Sequence, residues 1–403
     1  MPEAVVVAVS RSPIGRAVKG SLAAMRPDDL AARIVVDALG KVPALDPAEV
    51  EDVVVGCAQP AGEQGYNLAR VVSIQAGLGD VPGTTVNRYC ASSLQAVRMA
   101  AHAIRAGEGD VFVAAGVECV SRFEHGKADG MPGTHNPIHA DAEARTAERS
   151  AAGAPPWTPF DGLPDVYISM GQTAENVAQY AGVSREEQDE FAALSQQRAV
   201  AAQERGFFER EITPVTLPDG AVVVADDGPR PGTTAEKLAQ LRPVFRPDGT
   251  VTAGNACPLN DGAAAAVVMS DRRASELGIA PLARVVSSAV SGVDPEIMGL
   301  GPIEASRRAL ARAGLAIDDI DLVEMNEAFA AQVVPSAREL GIPWEKLNVN
   351  GGAIALGHPF GMTGTRILAT LLNGLDDRDG RYGLETMCVG GGQGMAMVVE
   401  RLT

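Results

Sequence analysis

The chain has 403 residues, 46% of them apolar and 21% charged, and a formal net charge of −17 at neutral pH. That length exceeds one compact core and calls for two or three structural units. The acidic balance excludes the basic footprint of a nucleic-acid binder, and no apolar run approaches the ~20 residues needed to span a bilayer.

In chain order, Ala4 to Val9 is a short continuous apolar run, read as a buried strand broken by Arg11-Ser12-Pro13-Ile14-Gly15. A helix is predicted from Pro27 to Leu39, with Pro in its first turn and Gly40 beyond its end. A strand over Val50–Gly56 and a helix over Tyr66–Ala76 follow. Next comes Val86-Asn87-Arg88-Tyr89-Cys90-Ala91-Ser92-Ser93-Leu94, an extended run that ends in a cysteine just before a helix. Leu94, Val97, Ala101 and Ile104 recur at helical spacing, and Gly107 stops the helix. Val111 to Ala115 is another buried strand, running into Gly116-Val117-Glu118. The stretch 122–251 differs: Phe123–Asp165 is rich in Gly, Pro, His and polar residues, Ser184 with Glu187 predicts a capped helix to about Gly206, and Asp226–Gly232 is an extended loop.

The end of the chain repeats the order of its beginning. A strand over Ala283–Val290, a helix over Pro302–Ala313 closed by Gly314, and a strand over Ile320–Asn326 echo the first elements. Asn348-Val349-Asn350-Gly351-Gly352 stands where Thr85-Val86-Asn87-Arg88-Tyr89 stood, a helix begins near Gly361, and a last strand ends in Met387-Cys388-Val389-Gly390-Gly391-Gly392. The shared order predicts a duplicated α/β unit.

Three chemical features stand out. Cys90 is placed at a helix N-terminus, where dipole and free N–H groups are expected to lower its pKa below the usual value of about 8.5. His358 lies in a run with four glycines, and Cys388 abuts Gly390-Gly391-Gly392-Gln393-Gly394; glycine there allows close approach of backbone to ligand. Each also has a plainer reading, as packed loop histidine or core thiol. The final glycine run lacks the strand–GxGxxG–helix context of a dinucleotide site, and Pro137 between His135 and His139 argues against a helical metal pair. Five cysteines (57, 90, 119, 257, 388) without a CxxC pair predict a reduced cytoplasmic setting without a disulfide framework or structural zinc.

Four blocks, in order, resemble the signatures of the thiolases: Val86-Asn87-Arg88-Tyr89-Cys90-Ala91-Ser92-Ser93, Asn326-Glu327-Ala328-Phe329, Gly351-Gly352-Ala353-Ile354-Ala355-Leu356-Gly357-His358-Pro359-Phe360-Gly361 and Cys388-Val389-Gly390-Gly391-Gly392-Gln393-Gly394. The resemblance spans the whole chain. It implies a duplicated βαβαβαββ fold in five α-β-α-β-α layers with an inserted loop domain that binds coenzyme A. Its domains would be a first core over 1–121, the insertion over 122–251, a return to the first core over 252–278, and a second core over 279–403. It implies an acyl-CoA:acetyl-CoA C-acyltransferase with coenzyme A thioesters as substrates, no tightly bound cofactor, and assembly as homodimer or homotetramer. Cys90 would be the nucleophile, His358 its base and Cys388 the second acid/base. Asn326 would hold a water beside His358 in one oxyanion hole, and the N–H groups of Cys90 and Gly390 would form the other. Arg230 would face the nucleotide end of coenzyme A, Cys257 the pantetheine arm, and Met170 and Met298 the acyl thioester. Arg230, Lys237, Arg242 and Arg246 also make a locally basic run, whose plainer reading is a solvated face.

Two positions depart from many acetoacetyl-CoA-forming members. Ser169-Met170 replaces a His before the methionine, and Asn255-Ala256-Cys257-Pro258 replaces an Asn-Ala-Ser-Gly pattern. Together with the long 123–165 segment, they favour a degradative 3-ketoacyl-CoA thiolase of fatty-acid β-oxidation type over an acetoacetyl-CoA-specific acetyltransferase. A non-thiolytic lipid-transfer relative is disfavoured by Asn326-Glu327-Ala328-Phe329, since such relatives carry a histidine-containing block there.

Overall fold

The computed structural model describes residues 2–403. The first part of the chain forms β1 (Ala4–Arg11), the two-residue β2 (Gly15–Arg16), α1 (Pro27–Gly40), β3 (Asp52–Gly56), α2 (Leu68–Gln75), β4 (Gly83–Val86), α3 (Ser92–Ala106) and β5 (Val111–Cys119). A long excursion follows, holding α4 (Ala140–Arg149), α5 (Met170–Tyr180), α6 (Arg185–Glu204), the hairpin of β6 (Val215–Thr216) and β7 (Val222–Val223), and α7 (Ala235–Leu238). The chain returns as β8 (Asn260–Ser270) and α8 (Asp271–Glu276). The last part forms β9 (Ala283–Gly292), α9 (Gly301–Ala313), β10 (Leu322–Met325), α10 (Ala330–Leu340), α11 (Ala353–Leu356), α12 (Thr363–Asp377), β11 (Tyr382–Val389) and β12 (Gln393–Arg401).

The main sheet runs β10-β11-β12-β9-β1-β8-β5-β3-β4, with β2 added to β8. It consists of two copies of one pattern joined where Val5 and Val6 pair with Arg284 and Ala283. In the first copy β1 and β5 flank β8 antiparallel, β3 lies parallel to β5, and β4 parallel to β3. In the second, β9 and β11 flank β12 antiparallel, β10 lies parallel to β11, and the β4 counterpart has shrunk to a single parallel bridge from Val323 to Leu347. Register matches as well. Glu118, next to last in β5, faces Gly262, and Cys388, next to last in β11, faces Gly394.

Side chains alternate along each strand between two cores. Val5, Val53, Val113 and Val267 pack under α1 and α2, whereas Val6, Val54, Ala114 and Val268 face α3. Met387, Met395 and Met397 of the second copy meet the same central core through α12, and Leu384, Ala396 and Val398 pack under α9 and α10. The layers are therefore helix, sheet, helix pair, sheet, helix, as the resemblance implied. Both sheet faces are covered, which is why the strands read as unbroken apolar runs.

The two central helices touch at their first turns. Thr365 N–H donates to Ser93 Oγ at 3.0 Å, and a Cβ on Gly364 would lie 2.4 Å from the Leu94 backbone nitrogen. The loops that feed α3 and α12 carry Cys90 and His358. Duplication thus brings one loop from each half to the same place.

Several elements differ from the sequence reading. β1 continues through Arg11, whose fully buried guanidinium pairs with Glu211 at 2.9 Å and Asp226 at 2.8 Å, pinning the excursion to the core. α2 starts after the Asn67 cap, because Tyr66 has a φ of 54° and stands exposed. Gly40 lies inside α1, whereas Gly107 and Gly314 cap α3 and α9 in the left-handed conformation as expected. The Ser184–Glu187 capping box starts α6 as read. β8 and α10 had no explicit counterpart in the sequence reading; α10 carries Pro335 in its interior. Substituting Gly364 by Ala should cost about 1–3 kcal/mol of unfolding free energy by overpacking the α3–α12 contact. Chemical denaturation would read this, and a cost below experimental error would contradict the close contact.

Candidate active site

β4 stops at Val86, and Asn87 folds the chain into a tight elbow: its Nδ2 donates to Ala58 O at 3.0 Å and its Oδ1 accepts the Tyr89 N–H at 2.8 Å. Ser92 Oγ closes the turn, accepting the Arg88 N–H and donating to Tyr89 O. Tyr89 adopts a φ of 41°, a sparse region for a bulky residue that surrounding contacts must hold. A single 3₁₀ turn, Tyr89–Ala91, then delivers Cys90 to the start of α3. Cys90 lines a cavity of about 300 Å³ together with Gly390, Gly391, Phe360 and Met170.

Burial is the largest influence on Cys90 and pushes its thiol up to about 11, against the smaller thiolate-favouring effect of the nearby Gly390 and Cys90 N–H groups. This corrects the sequence expectation of a lowered pKa. Removal of the thiol from water costs more than the helix end and two N–H groups return.

His358 is buried, between α11 and α12. Its backbone N–H donates to Asn260 Oδ1 at 3.0 Å, and Asn260 Nδ2 holds Gly15 O at 3.0 Å. Its Nδ1 lies 2.6 Å from Thr363 Oγ1, whose one proton goes to Pro359 O at 2.8 Å. Proton counting therefore places the imidazole proton on Nδ1 and leaves Nε2 as an acceptor, facing Asn326 Nδ2 at 3.3 Å. Burial, helped by the Arg366 cation, pushes the imidazole down to about 3. Resting Cys90 and His358 are thus both neutral, and Nε2 is free to take a proton. Asn326 sits directly after β10, buried, and its Oδ1 has no protein partner.

Cys388 is wholly buried near the end of β11, its thiol pushed well up by burial and by the neighbouring Cys90 and Cys257 thiols. Cys257, whose N–H donates to Ala328 O at 3.0 Å, is likewise pushed up by burial and by Cys90. Met298, Phe329 and Cys388 share one small apolar cluster against which Met170 packs. Cys90, Cys257, Cys388, Met170, Met298 and Gly390 are therefore neighbours, and His358, bonded to Asn326, approaches them through Phe360, which lines the Cys90 cavity and lies edge-on to the imidazole with ring centroids 5.0 Å apart. Arg230 is not among the residues lining the cavity: it is exposed on the loop before α7, its N–H held by Gln196 Oε1 at 2.8 Å. Nor is the basic run a solvated face throughout, because Arg246 is buried and donates to Gln172 and Asn176.

Sequence reasoning missed the supports. Glu118 is fully buried and accepts N–H bonds from Ala58 at 2.9 Å, Gln59 at 3.3 Å, Gly361 at 3.0 Å and the Gln64 side chain at 2.5 Å. Burial pushes its carboxyl up to about 7 against these donors. Glu327 similarly holds Ser195, Asn348 and the Ile354 N–H, which fixes the backbone ahead of His358. Gln59, Asp129, His135 and Tyr167 line the outer cavity. His135, considered in sequence only as half of a metal pair, stacks on Tyr167 with ring centroids 4.1 Å apart.

Known proteins resemble this chain in sequence and fold. The family model "Thiolase, N-terminal domain" matches residues 4–272 and "Thiolase, C-terminal domain" matches 279–401. A 3-ketoacyl-CoA thiolase of Bacillus subtilis (strain 168) is 46% identical over 99% of this chain and all of its own. A 3-oxoadipyl-CoA/3-oxo-5,6-dehydrosuberyl-CoA thiolase of Escherichia coli (strain K12) is 46% identical over the full length of both. The crystal structure of the Bacillus anthracis acetyl-CoA acetyltransferase superposes with a TM-score of 0.86 at 39% identity, covering 100% of this chain and 99% of that one. The dimeric peroxisomal thiolase of Saccharomyces cerevisiae gives 0.89 at 37%, covering 99% and 97%. The two family matches and the named relatives make the protein an acyltransferase. More particularly, the chain belongs to the thiolase family, whose members act on coenzyme A thioesters. Among the described residues no helix is long and apolar enough to cross a membrane.

A thiol raised to about 11 predicts that alkylation of Cys90 in the free enzyme accelerates about tenfold per pH unit between roughly pH 7 and 10. Iodoacetamide labelling followed by peptide mass spectrometry measures this. A plateau near neutrality would instead reveal a preformed thiolate–imidazolium pair.

Proposed function

We propose that the chain catalyses coenzyme A-dependent cleavage of 3-ketoacyl-CoA to acetyl-CoA and a shortened acyl-CoA, through an acyl-enzyme on Cys90. His358 Nε2 takes the Cys90 proton as the sulfur attacks the 3-keto carbon. The C2–C3 bond then breaks, leaving the acyl group on sulfur, and the departing acetyl-CoA enolate takes a proton from Cys388. In the second half, the Cys388 thiolate deprotonates coenzyme A, whose sulfur attacks the acyl-enzyme. Cys90 leaves and recovers its proton from the His358 imidazolium. All three groups return to their starting state, so the cycle runs equally as Claisen condensation in reverse.

The observation that carries this reading is the cavity wall on which Cys90 and Gly390 stand together, with their backbone N–H groups beside the reactive sulfur. Such donors stabilise charge on a thioester oxygen bound beside that sulfur. After its protonation His358 Nε2 becomes a donor too, and with a water held by Asn326 it serves the enolate oxygen. Coenzyme A lies along the 122–251 unit, its nucleotide end toward Arg230, its pantetheine arm past Cys257 and its thioester between Met170 and Met298. The unit also supplies contacts of a homodimer or homotetramer; the yeast structure is described as dimeric. The chain would work in the cytoplasm on 3-ketoacyl-CoA of several lengths, and the acetoacetyl-CoA-specific alternative would show as a sharp preference for the four-carbon substrate in kcat/KM.

Mass spectrometry after mixing with acetyl-CoA tests the nucleophile: an acetyl adduct is expected on Cys90 and none in Cys90→Ala. An undiminished adduct in that variant would refute the assignment. Cys388→Ala is expected to keep acylation but lose carbon–carbon cleavage by at least ~10²-fold. Equal loss of both steps would contradict the division between the two thiols.

A further inference from the structure

We propose that Asp129 selects against acyl groups ending in a carboxylate, making the chain a thiolase for uncharged 3-ketoacyl-CoA. This rests on the thiolysis reading above and decides between two of the substrates that appear in its relatives' names, 3-ketoacyl-CoA and 3-oxoadipyl-CoA.

The cavity that opens on Cys90 is lined by apolar Met170, Ile168 and Phe360 and, among its polar residues, by Asp129 and Gln59, of which Asp129 is exposed. Asp129 and Gln59 form a reciprocal clamp. The Gln59 side-chain amide donates to the Asp129 carboxylate, and the Asp129 N–H donates to Gln59 Oε1 at 3.3 Å. The carboxylate also lies near enough to Tyr89, the residue before the nucleophile, for its charge to help raise that phenol, after burial. Behind Gln59 stands a second acidic group, the buried Glu118.

Among the described residues lining the cavity there is no lysine or arginine. His135 is the one basic side chain on the wall, and its Nδ1 is engaged by Glu143 at 3.0 Å while its ring stacks on Tyr167. A positive charge on that ring is therefore already matched.

Cleavage of a six-carbon dicarboxylic 3-ketoacyl-CoA leaves a succinyl group on Cys90, short enough to lie wholly inside a cavity of about 300 Å³. Its carboxylate would meet Asp129 without gaining a lysine or arginine partner from the cavity wall. A butanoyl group of the same chain length meets no such repulsion. Specificity here comes from a repulsive group against the wrong substrate as much as from contacts to the right one.

Purified enzyme assayed with 3-oxohexanoyl-CoA and 3-oxoadipyl-CoA provides the test. The wild type should favour the uncharged substrate in kcat/KM by at least ~10-fold, since like charges brought together are strongly disfavoured. Asp129→Asn, nearly isosteric at an exposed position, should shrink that ratio several-fold, and Asp129→Glu should keep it. A wild-type preference for 3-oxoadipyl-CoA, or an unchanged ratio in Asp129→Asn, overturns the proposal. Turnover of neither substrate by the wild type overturns the thiolysis reading itself.

Discussion

The site depends on one buried carboxylate. Glu118 emerges from the end of β5 into a space with no water contact, where an unpaired charge would be prohibitive. Four N–H groups meet it, from the loop after β3, from Gln64 and from Gly361. Through these bonds the wall beneath Cys90 and the segment following His358 are held by a single side chain. Each donor left without its acceptor would cost about 1–3 kcal/mol, so the three segments are fixed together or not at all.

Around that pin the duplicated architecture does the rest. Equivalent loops feed two helices whose first turns touch, and those loops carry the thiol and the imidazole. Burial then sets the electrostatics. It raises Cys90 and lowers His358, so the resting pair is uncharged and the proton moves only as the sulfur–carbon bond forms. A pocket with neutral partners and N–H groups beside the sulfur is suited to charge that appears only in transit.

Much of this was legible in the sequence. The order of elements, the duplication and the four signature blocks pointed to the layers and to Cys90, His358, Cys388 and Asn326. What escaped has a physical reason in each case. β8 is rich in alanine, the best helix former, and becomes a strand because sheet neighbours on both sides accept its small side chains. Pro335 lies within α10, where proline normally argues against a helix. The lowered thiol pKa expected for Cys90 followed from its local position, whereas desolvation depends on everything that packs around it. Glu118 and Asn260 act through residues distant in sequence, and nothing at their own positions announces a partner. Asp129 and His135 lie in the least regular segment, where no periodicity places a side chain.

The matched register of β5 and β11 has a further meaning. At the same point of two equivalent strands, each opposite a glycine, one half presents Glu118 and the other Cys388. One has become scaffold and the other carries the second thiol. The molecule is in effect a heterodimer fused into one polypeptide, with complementary halves that do not replace each other. Its internal twofold likeness lies in the backbone and the apolar pattern, and ends at the polar side chains of the site. Symmetry supplied two matching frames, and the division of labour between them arose by letting the side chains at equivalent points diverge.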